Sequence, residues 1–371
     1  MNTLVTGGAG FIGSHLVDAL VQRGDRVRVL DNLEPQVHRG KHPGYLHPKA
    51  DYLFESILNQ NILPQALEGI EAIVHLAALV GVGQSMYQVA RYMEVNTLGT
   101  ARFLEFLINQ HRKPLARFVV ASSMSIYGEG LYRCPEHGNV SATMRSARQL
   151  ANHAWEATCP RCGAAASPLP TPEEKPLMPT SIYAISKRDQ EELSLTMGQA
   201  YHLPVVALRF FNVYGPRQSL SNPYTGACAI FSSRLRHGKS PILYEDGKQT
   251  RDFIHVSDLV QGILVALDHP QAVGQALNVG TGKASSIHQV ALSLAQAYGV
   301  KIPPTIVGRY RAGDIRHCFA DISRISDLGF RPRMTLDDGL KDLVRWGSTA
   351  ETEDLFDVAE RELVERHLLG D

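Results

Sequence analysis

Tyr183 and Lys187 stand four residues apart in Tyr183-Ala184-Ile185-Ser186-Lys187. On a helix that spacing puts both side chains on one face. An ammonium beside a phenol favours the phenolate, so the tyrosine pKa is expected to fall toward neutrality. Such a tyrosine is a general base for a sugar or alcohol hydroxyl. Alone, the pair is common by chance on solvated helix faces. A second segment gives it a partner. Ser122-Ser123-Met124-Ser125-Ile126-Tyr127-Gly128 follows the apolar run Phe118–Ala121, and parallel sheets bind ligands beyond the carboxyl ends of their strands. A hydroxyl on Ser123 can hydrogen-bond the substrate oxygen whose proton Tyr183 takes.

A second chemistry is written at the amino terminus. Thr6-Gly7-Gly8-Ala9-Gly10-Phe11-Ile12-Gly13 follows a short apolar strand and opens an amphipathic helix. Its glycines fit both G-x-G-x-x-G and G-x-x-G-x-x-G, and missing side chains let the backbone approach a pyrophosphate at a helix N-terminus. Asp31 ends the next strand, eighteen residues after Gly13. A carboxylate there accepts hydrogen bonds from a ribose diol and repels a 2′-phosphate, which favours NAD over NADP. Gly238-Lys239-Ser240 resembles the end of a P-loop but lacks its first glycine, with Ser233 in that place, and reads as a turn after a helix.

A third constellation is Cys134-Pro135-Glu136-His137 and Cys159-Pro160-Arg161-Cys162-Gly163. This is C-x2-H, a spacer of twenty-one residues, then C-x2-C. Two-residue spacings let a tight knuckle turn both ligands toward one ion, and three thiolates with one imidazole complete tetrahedral Zn2+ with no open position. The expected role is structural. A redox C-x-x-C pair or idle thiols are the alternatives, and His153 is a spare ligand. Cys228 and Cys318 are isolated and expected in the core.

The elements that must position these groups are an alternation of strands and helices. Strands are expected at 2–6, Arg26–Leu30, Ala72–Leu76, Phe118–Ala121 and Val205–Leu208, with helices after the glycine turn, from Met86 to Gln110, and over 181–200. That order implies a Rossmann-type, doubly wound parallel α/β sheet. The expected division is a dinucleotide-binding domain over 1–214, with about 252–282 returning to it. A smaller mixed α/β substrate domain takes 215–251 and 283–371. Residues 131–178, rich in Pro, Ala, Ser and Cys without sustained periodicity, read as a zinc-knuckle-like insertion. The tail after Trp346 is acidic and helix-compatible.

The 371 residues carry 37 Lys+Arg against 37 Asp+Glu, with 44% apolar and 20% charged residues. That is ordinary globular composition, which excludes a disordered chain or a coiled coil. The neutral balance and the lack of a basic, aromatic cluster around 134–162 argue against a nucleic-acid binder. No apolar run is long enough to cross a bilayer, and the first residues lack a basic signal-peptide region. A cytoplasmic protein without membrane partners is expected.

Taken together the motifs resemble extended short-chain dehydrogenases/reductases of the NAD-dependent sugar epimerase/dehydratase family. The resemblance runs from residue 1 to about 345 outside the insertion. Its carriers are Thr6–Gly13, Asp31-Asn32-Leu33, His75-Leu76-Ala77-Ala78, Asn96-Thr97, Ser122–Gly128, Tyr183–Lys187, Arg209–Pro216, Arg251–Val256 and Arg311–Asp314. It implies a catalytic trio of Ser123, Tyr183 and Lys187. NAD is then held by Gly7, Gly10, Phe11, Ile12, Asp31, Asn32, Ala77, Ala78, Asn96 and Phe210 together with Tyr183 and Lys187. It further implies that Asn212, Arg251 and Arg311 hold a nucleotide diphosphate, and guanidinium forks do suit phosphate oxygens. A homodimer through the helices near 86–110 and 183–200 is implied too. One departure is visible: Glu55-Ser56-Ile57 replaces the Gly-Asp-apolar step that reads adenine in the family.

The residues after Ser123 narrow the reaction. Related 4,6-dehydratases carry Asp-Glu there, related decarboxylases a Glu at the second position, and related 3,5-epimerase/reductases a Cys at the first. This chain has Met124-Ser125. What remains is oxidation of one carbinol, hydride passing to NAD+, and re-reduction from the other face, most often at C4. The inserted Cys/His segment and Leu220–Gly226 look most like a subgroup of dTDP-L-rhamnose 4-epimerases. A UDP-hexose 4-epimerase is the alternative, and a non-catalytic NAD-binding regulator a weaker one, since both Tyr183 and Lys187 are present.

Overall fold

The computed structural model describes residues 1–111 and 113–370. Seven parallel strands form the central sheet. Their order is Ala276–Val279, Val205–Phe210, Arg117–Ser123, Ala72–His75, Asn2–Thr6, Arg26–Leu30 and Asp51–Leu53. The chain winds outward from Asn2–Thr6 to one edge, returns to Ala72–His75, and winds to the other edge. The order therefore reverses between Asn2–Thr6 and Ala72–His75, where Thr6 lies opposite His75. Loops leaving these two strands diverge and open a crevice at their carboxyl ends.

Both faces of the sheet are covered, so its strands read as near-continuous apolar runs. Val5, Val29, Val74 and Val119 point into one layer, against Leu16 and Leu20 of helix Phe11–Gln22 and Leu259 and Ile263 of helix Val256–Asp268. Leu4, Ile73, Phe118 and Val120 point into the other, against Phe103, Leu104 and Leu107 of helix Gly99–Asn109. Strand Arg117–Ser123 is buried at every position, which fixes Ser123 at the floor of the crevice.

The long helical region expected from Met86 to Gln110 is found from Val89 to Asn109 as one continuous helix that widens in its middle. Val89–Tyr92 is α-helical, Met93–Leu98 is a π-helical turn and Gly99–Asn109 resumes as α-helix. Such wide turns accompany functional sites, and here the turn carries Asn96. Helix Ile182–Tyr201 follows the expected span. Ser181 caps it, accepting a hydrogen bond from the Ala184 backbone N–H at 3.1 Å.

A separate apolar cluster joins helices Ala227–Arg236, Ile287–Ala297 and Leu336–Gly347 through Phe231, Leu235, Leu294, Leu340 and Leu343. Beside it strand Thr250–Arg251 lies between Ser285–Ser286 and His317–Cys318. The segment 131–178 has more regular structure than its composition suggests. Gly138–Ser141, Leu131–Cys134 and Ser167–Leu169 form a three-stranded antiparallel sheet.

Candidate active site

The glycine turn is built by close approach. Gly7 has φ +71°, and a Cβ on Gly13 would lie 2.2 Å from the Gly7 carbonyl oxygen. Only glycine lets helix Phe11–Gln22 seat on the turn, with its N-terminus facing the crevice. A cavity of about 610 Å3 opens there. Gly7, Gly10, Phe11 and Ile12 form one wall of it. Asp31 holds the turn, its Oδ2 accepting from the Ala9 N–H at 2.9 Å and its Oδ1 from the Leu33 N–H at 2.8 Å. Asp31 and Asn32 face the same cavity, as do Ala77, Ala78 and Phe210. The donor set, the tight turn and the strand-end carboxylate fit a dinucleotide. Glu55, Ser56 and Ile57 also border the cavity at this end.

Asn96 does not line the cavity. It is fully buried. Its amide donates to the Leu79 carbonyl at 3.1 Å and to Ser186 Oγ at 2.9 Å, and its Oδ1 accepts from the Leu79 N–H at 2.8 Å. Both ends of the side chain are used in tying the loop after Ala78 to the helix of Tyr183. In the protein alone, Asn96 thereby helps to position the wall of the cavity.

Ser123, Tyr183 and Lys187 meet in the same cavity. Ser123 Oγ accepts from the Ser125 hydroxyl at 2.9 Å and the Ser125 N–H at 3.2 Å. Tyr183 is anchored through its backbone N–H to Ser85 Oγ at 3.0 Å. Its phenol pKa is raised, not lowered: burial opposes the phenolate, and the hydrogen bond with Ser123 offsets it only in part. The expected depression by Lys187 is missing because the ammonium turns elsewhere. Lys187 Nζ donates to Gln190 Oε1 at 2.6 Å, and burial pushes the lysine down to about 7 against the opposing pull of Glu191. Behind this pair runs a buried polar chain. Gln190 Nε2 donates to Thr100 Oγ1 at 2.7 Å, Thr100 Oγ1 meets His75 Nε2 at 3.0 Å, and His75 Nδ1 meets Thr6 Oγ1 at 2.7 Å. Burial, with Lys187 nearby, pushes His75 down to about 3, so it serves as a neutral link between the glycine turn and the lysine.

Arg251 and Arg311 line the far part of the cavity. The Arg251 guanidinium donates to three backbone carbonyls: Thr250 at 2.8 Å, Arg316 at 3.0 Å and Ile315 at 2.6 Å. Arg311 Nε donates to Asp314 Oδ2 at 2.8 Å, and its guanidinium lies over the Tyr244 ring at 4.9 Å. Asn212 also lines the cavity, and its Oδ1 is buried with no hydrogen-bond partner among the described residues. An orphaned acceptor and two guanidinium groups suit a ligand carrying both donors and anionic oxygens.

The pattern of the NAD dependent epimerase/dehydratase family matches residues 3–159 and 157–280. The chain belongs to this family. A dTDP-L-rhamnose 4-epimerase of Burkholderia thailandensis is 35% identical, over 92% of this chain and 94% of the relative. A putative UDP-glucose 4-epimerase of Methanocaldococcus jannaschii is 30% identical, over 92% and 97%. Among solved structures, Thermotoga maritima UDP-glucose 4-epimerase with UDP-glucose superposes with a TM-score of 0.76 at 29% identity, covering 93% of this chain and 98% of that one. Bacillus cereus UDP-glucuronic acid 4-epimerase, in complex with UDP-glucuronic acid and NAD, gives 0.76 at 27% identity, covering 94% and 99%.

Beyond the family motifs the structure adds residues that the sequence reading passed over. Tyr224, Tyr244 and Gln249 line the cavity, and so do Phe356, Ala359 and Leu363 of helix Phe356–Glu365. The tail is thus a wall of the site. Its signal was present as apolar residues at i, i+3 and i+7, hidden in a run of acids. Glu362 fastens that wall, its Oε2 accepting from Tyr87 at 2.6 Å and also from the Tyr224 hydroxyl. A shallower depression of about 670 Å3 lies at the amino ends of strands Asn2–Thr6 and Arg26–Leu30. It lies at the wrong ends of the strands for this chemistry and gathers none of the trio.

The four expected metal ligands come together outside the cavity. Cys134 Sγ lies 3.6 Å from Cys162 Sγ and 3.6 Å from His137 Nδ1, and Cys159 Sγ lies 3.7 Å from His137 Nδ1. All four donor atoms lie within 4.8 Å of one another. Tetrahedral bond lengths to Zn2+ put sulfur–sulfur edges at about 3.8 Å and sulfur–nitrogen edges at about 3.6 Å, so the donors fit such an ion.

Proposed function

We propose that this protein is an NAD-dependent nucleotide-sugar 4-epimerase that interconverts dTDP-L-rhamnose and dTDP-6-deoxy-L-talose. The observation that carries the reading is the convergence of Ser123, Tyr183 and Lys187 with Arg251 and Arg311 on one cavity. Met124 and Ser125 beside them supply neither a carboxylate nor a thiol for elimination or carbon deprotonation. The Burkholderia relative supports the choice of sugar.

NAD would be held at the glycine turn by Gly7, Gly10, Phe11, Ile12 and Asp31 and would supply the hydride acceptor and donor for the sugar carbon. Tyr183 Oη, as the phenolate, would take the C4 hydroxyl proton as that carbon is oxidised and return it when the carbon is reduced. Because burial raises this phenol in the protein alone, the phenolate would need the positive charge of bound NAD+ beside it. Ser123 Oγ orients the same oxygen. Lys187, which shares the cavity with Tyr183 and here donates to Gln190, would be free to hydrogen-bond the cofactor's ribose when NAD is bound. Arg251 and Arg311 grip the diphosphate, while Val82, Met124 and Leu363 give the cavity apolar walls. A sugar held mainly by its remote diphosphate is free to turn and present its other face, which is how binding energy away from the reacting carbon serves the reaction.

Two further assignments accompany this reading. The Cys134, His137, Cys159 and Cys162 group holds a structural Zn2+. The protein is a cytoplasmic homodimer joined through the helices that expose Leu98 and Ile185, 42% and 37% accessible in the single chain; light scattering that gives a monomer mass refutes the dimer. No helix among the described residues is long and apolar enough to cross a membrane.

A second reading keeps the mechanism and changes the sugar to a UDP-hexose, and the Methanocaldococcus and Thermotoga proteins favour it. NMR of the purified protein with dTDP-L-rhamnose and, separately, UDP-galactose distinguishes the two. A new C4 epimer from dTDP-L-rhamnose alone is expected. Turnover of UDP-galactose alone would move the substrate to hexoses, and turnover of neither with added NAD+ would overturn both readings.

A further inference from the structure

The segment 131–178 is too thin to hold its own shape. Its apolar cluster is Tyr132, Val140, Ala142, Ala157 and Ala166 with the ligand residues Cys134 and Cys159. A core that small needs a staple, and the four converging metal ligands provide one.

What the segment does with that shape is visible at its inner edge. Arg145 and Glu156 leave it and join an ionic group in which Arg145, Glu245 and Arg316 are buried while Glu156 stays about half exposed. The Arg145 guanidinium makes a two-pronged pair with Glu245 at 2.9 and 2.8 Å, and also donates to the Asp314 carbonyl at 3.0 Å. Glu156 accepts from Arg316 Nε at 3.1 Å and Nη2 at 2.5 Å, while its other oxygen meets His317 Nε2 at 3.0 Å. Arg316 is fully buried. Residues 314–317 are therefore held from the insertion side by a carboxylate and a guanidinium.

The other side of the same short run carries the two cavity arginines. Asp314 pairs with Arg311. The carbonyls of Ile315 and Arg316 hold the Arg251 guanidinium. No metal ligand touches the cavity, yet only two residues, Ala157 and Thr158, separate Glu156 from Cys159.

We propose that the insertion is a metal-set positioning element for diphosphate recognition. A thiophilic divalent ion, Zn2+, fixes the loop bearing Glu156. Glu156 and Arg145 then hold residues 314–317 in the register that aims Arg251 and Arg311 at one diphosphate. The inference rests on the nucleotide-sugar reading. Glu156 and Arg145 are positioning residues, since neither lines the cavity. Three sulfurs and one imidazole leave the ion no open coordination position, so it takes no part in the sugar chemistry.

The test uses the full-length protein as purified, with metal content by plasma emission, NAD content by absorbance after acid release, and calorimetric titration with UDP and with dTDP. Wild type is expected to carry one zinc per chain and to bind one of the two nucleotides. Cys159→Ser should lose the zinc and weaken that binding tenfold or more. Glu156→Gln should keep the zinc and weaken binding by a similar factor. NAD content should hold in both, and in steady-state assays KM should rise while kcat stays within about twofold. If Cys159→Ser fails to fold, Glu156→Gln still decides the matter. Equal nucleotide affinity in wild type and Glu156→Gln would overturn the proposal, as would wild type without metal. Wild type that binds neither nucleotide would remove the nucleotide-sugar reading first and the proposal with it, an outcome distinct from a loss seen only in the variants.

Discussion

Lys187 is held in the fold at a cost that can be measured. It is almost fully buried, and burial lowers its pKa from 10.5 to about 7. In the unfolded chain it keeps its proton up to about pH 10.4. Between about pH 7 and 10.4 unfolding therefore takes up a proton, and stability rises with pH across that window. Below about pH 7 both states are protonated and the whole penalty is present. At about 1.4 kcal/mol per pH unit it is worth roughly 5 kcal/mol at pH 6 and roughly 3 kcal/mol at pH 8.5. Lys187→Met removes the charge and nearly keeps the volume. It also leaves Gln190 Oε1 without its 2.6 Å donor, which costs about 1–3 kcal/mol. Cofactor-free Lys187→Met should thus be more stable than wild type by about 2–4 kcal/mol at pH 6, and that advantage should shrink by about 2 kcal/mol at pH 8.5. For a chain of this length the change is roughly 2–3 °C in Tm. Differential scanning calorimetry at the two pH values measures it, and turnover should be lost in the same variant. An advantage that is absent at pH 6, or that does not narrow with pH, would show that the ammonium is solvated and the reasoning wrong.

Three other substitutions probe separate parts of the site. Tyr183→Phe should lower kcat by about 100-fold or more with NAD content unchanged; residual turnover near wild type would remove Tyr183 as the proton carrier. Gly13→Ala places a Cβ 2.2 Å from the Gly7 carbonyl oxygen, so purified variant should lose bound NAD, read from its absorbance, and a variant that retains NAD would show that the turn relaxes. Glu362→Ala cuts both phenol hydrogen bonds that fasten the tail helix. Hydrogen exchange over 356–365 should quicken and KM should rise about tenfold, as expected for about 1.4 kcal/mol of lost closure; unchanged exchange would place the fastening elsewhere.

The strands and the glycine turn were legible because each rests on local pattern. Apolar runs such as Phe118–Ala121 belong to a sheet buried on both faces, and the carboxyl ends of those runs mark the crevice. The Cys/His spacing likewise carried its own geometry. What escaped the sequence depends on contacts between distant segments. The motif gives no sign that the Asn96 amide bonds to Leu79 and Ser186 and so ties the loop after Ala78 to the helix of Tyr183. The lysine was expected to depress Tyr183, but Gln190, only three residues further on, takes the ammonium, and burial acts on both groups. No local pattern announced that Glu156 would reach Arg316, 160 positions away.

Arg251 is partnered by main-chain oxygens, and that choice shapes how the site can change. A guanidinium paired with a carboxylate has its charge cancelled, and one mutation can unpair it. Carbonyl dipoles orient the fork and leave its full positive charge available. Substitution at Ile315 exchanges a side chain but leaves the carbonyl where it was. The charge proposed to bind the diphosphate is therefore insulated from drift at its neighbours, and it fails only through a displacement of backbone. Affinity for a diphosphate at this place should accordingly fall with ionic strength, as it does for any uncancelled charge near a protein surface.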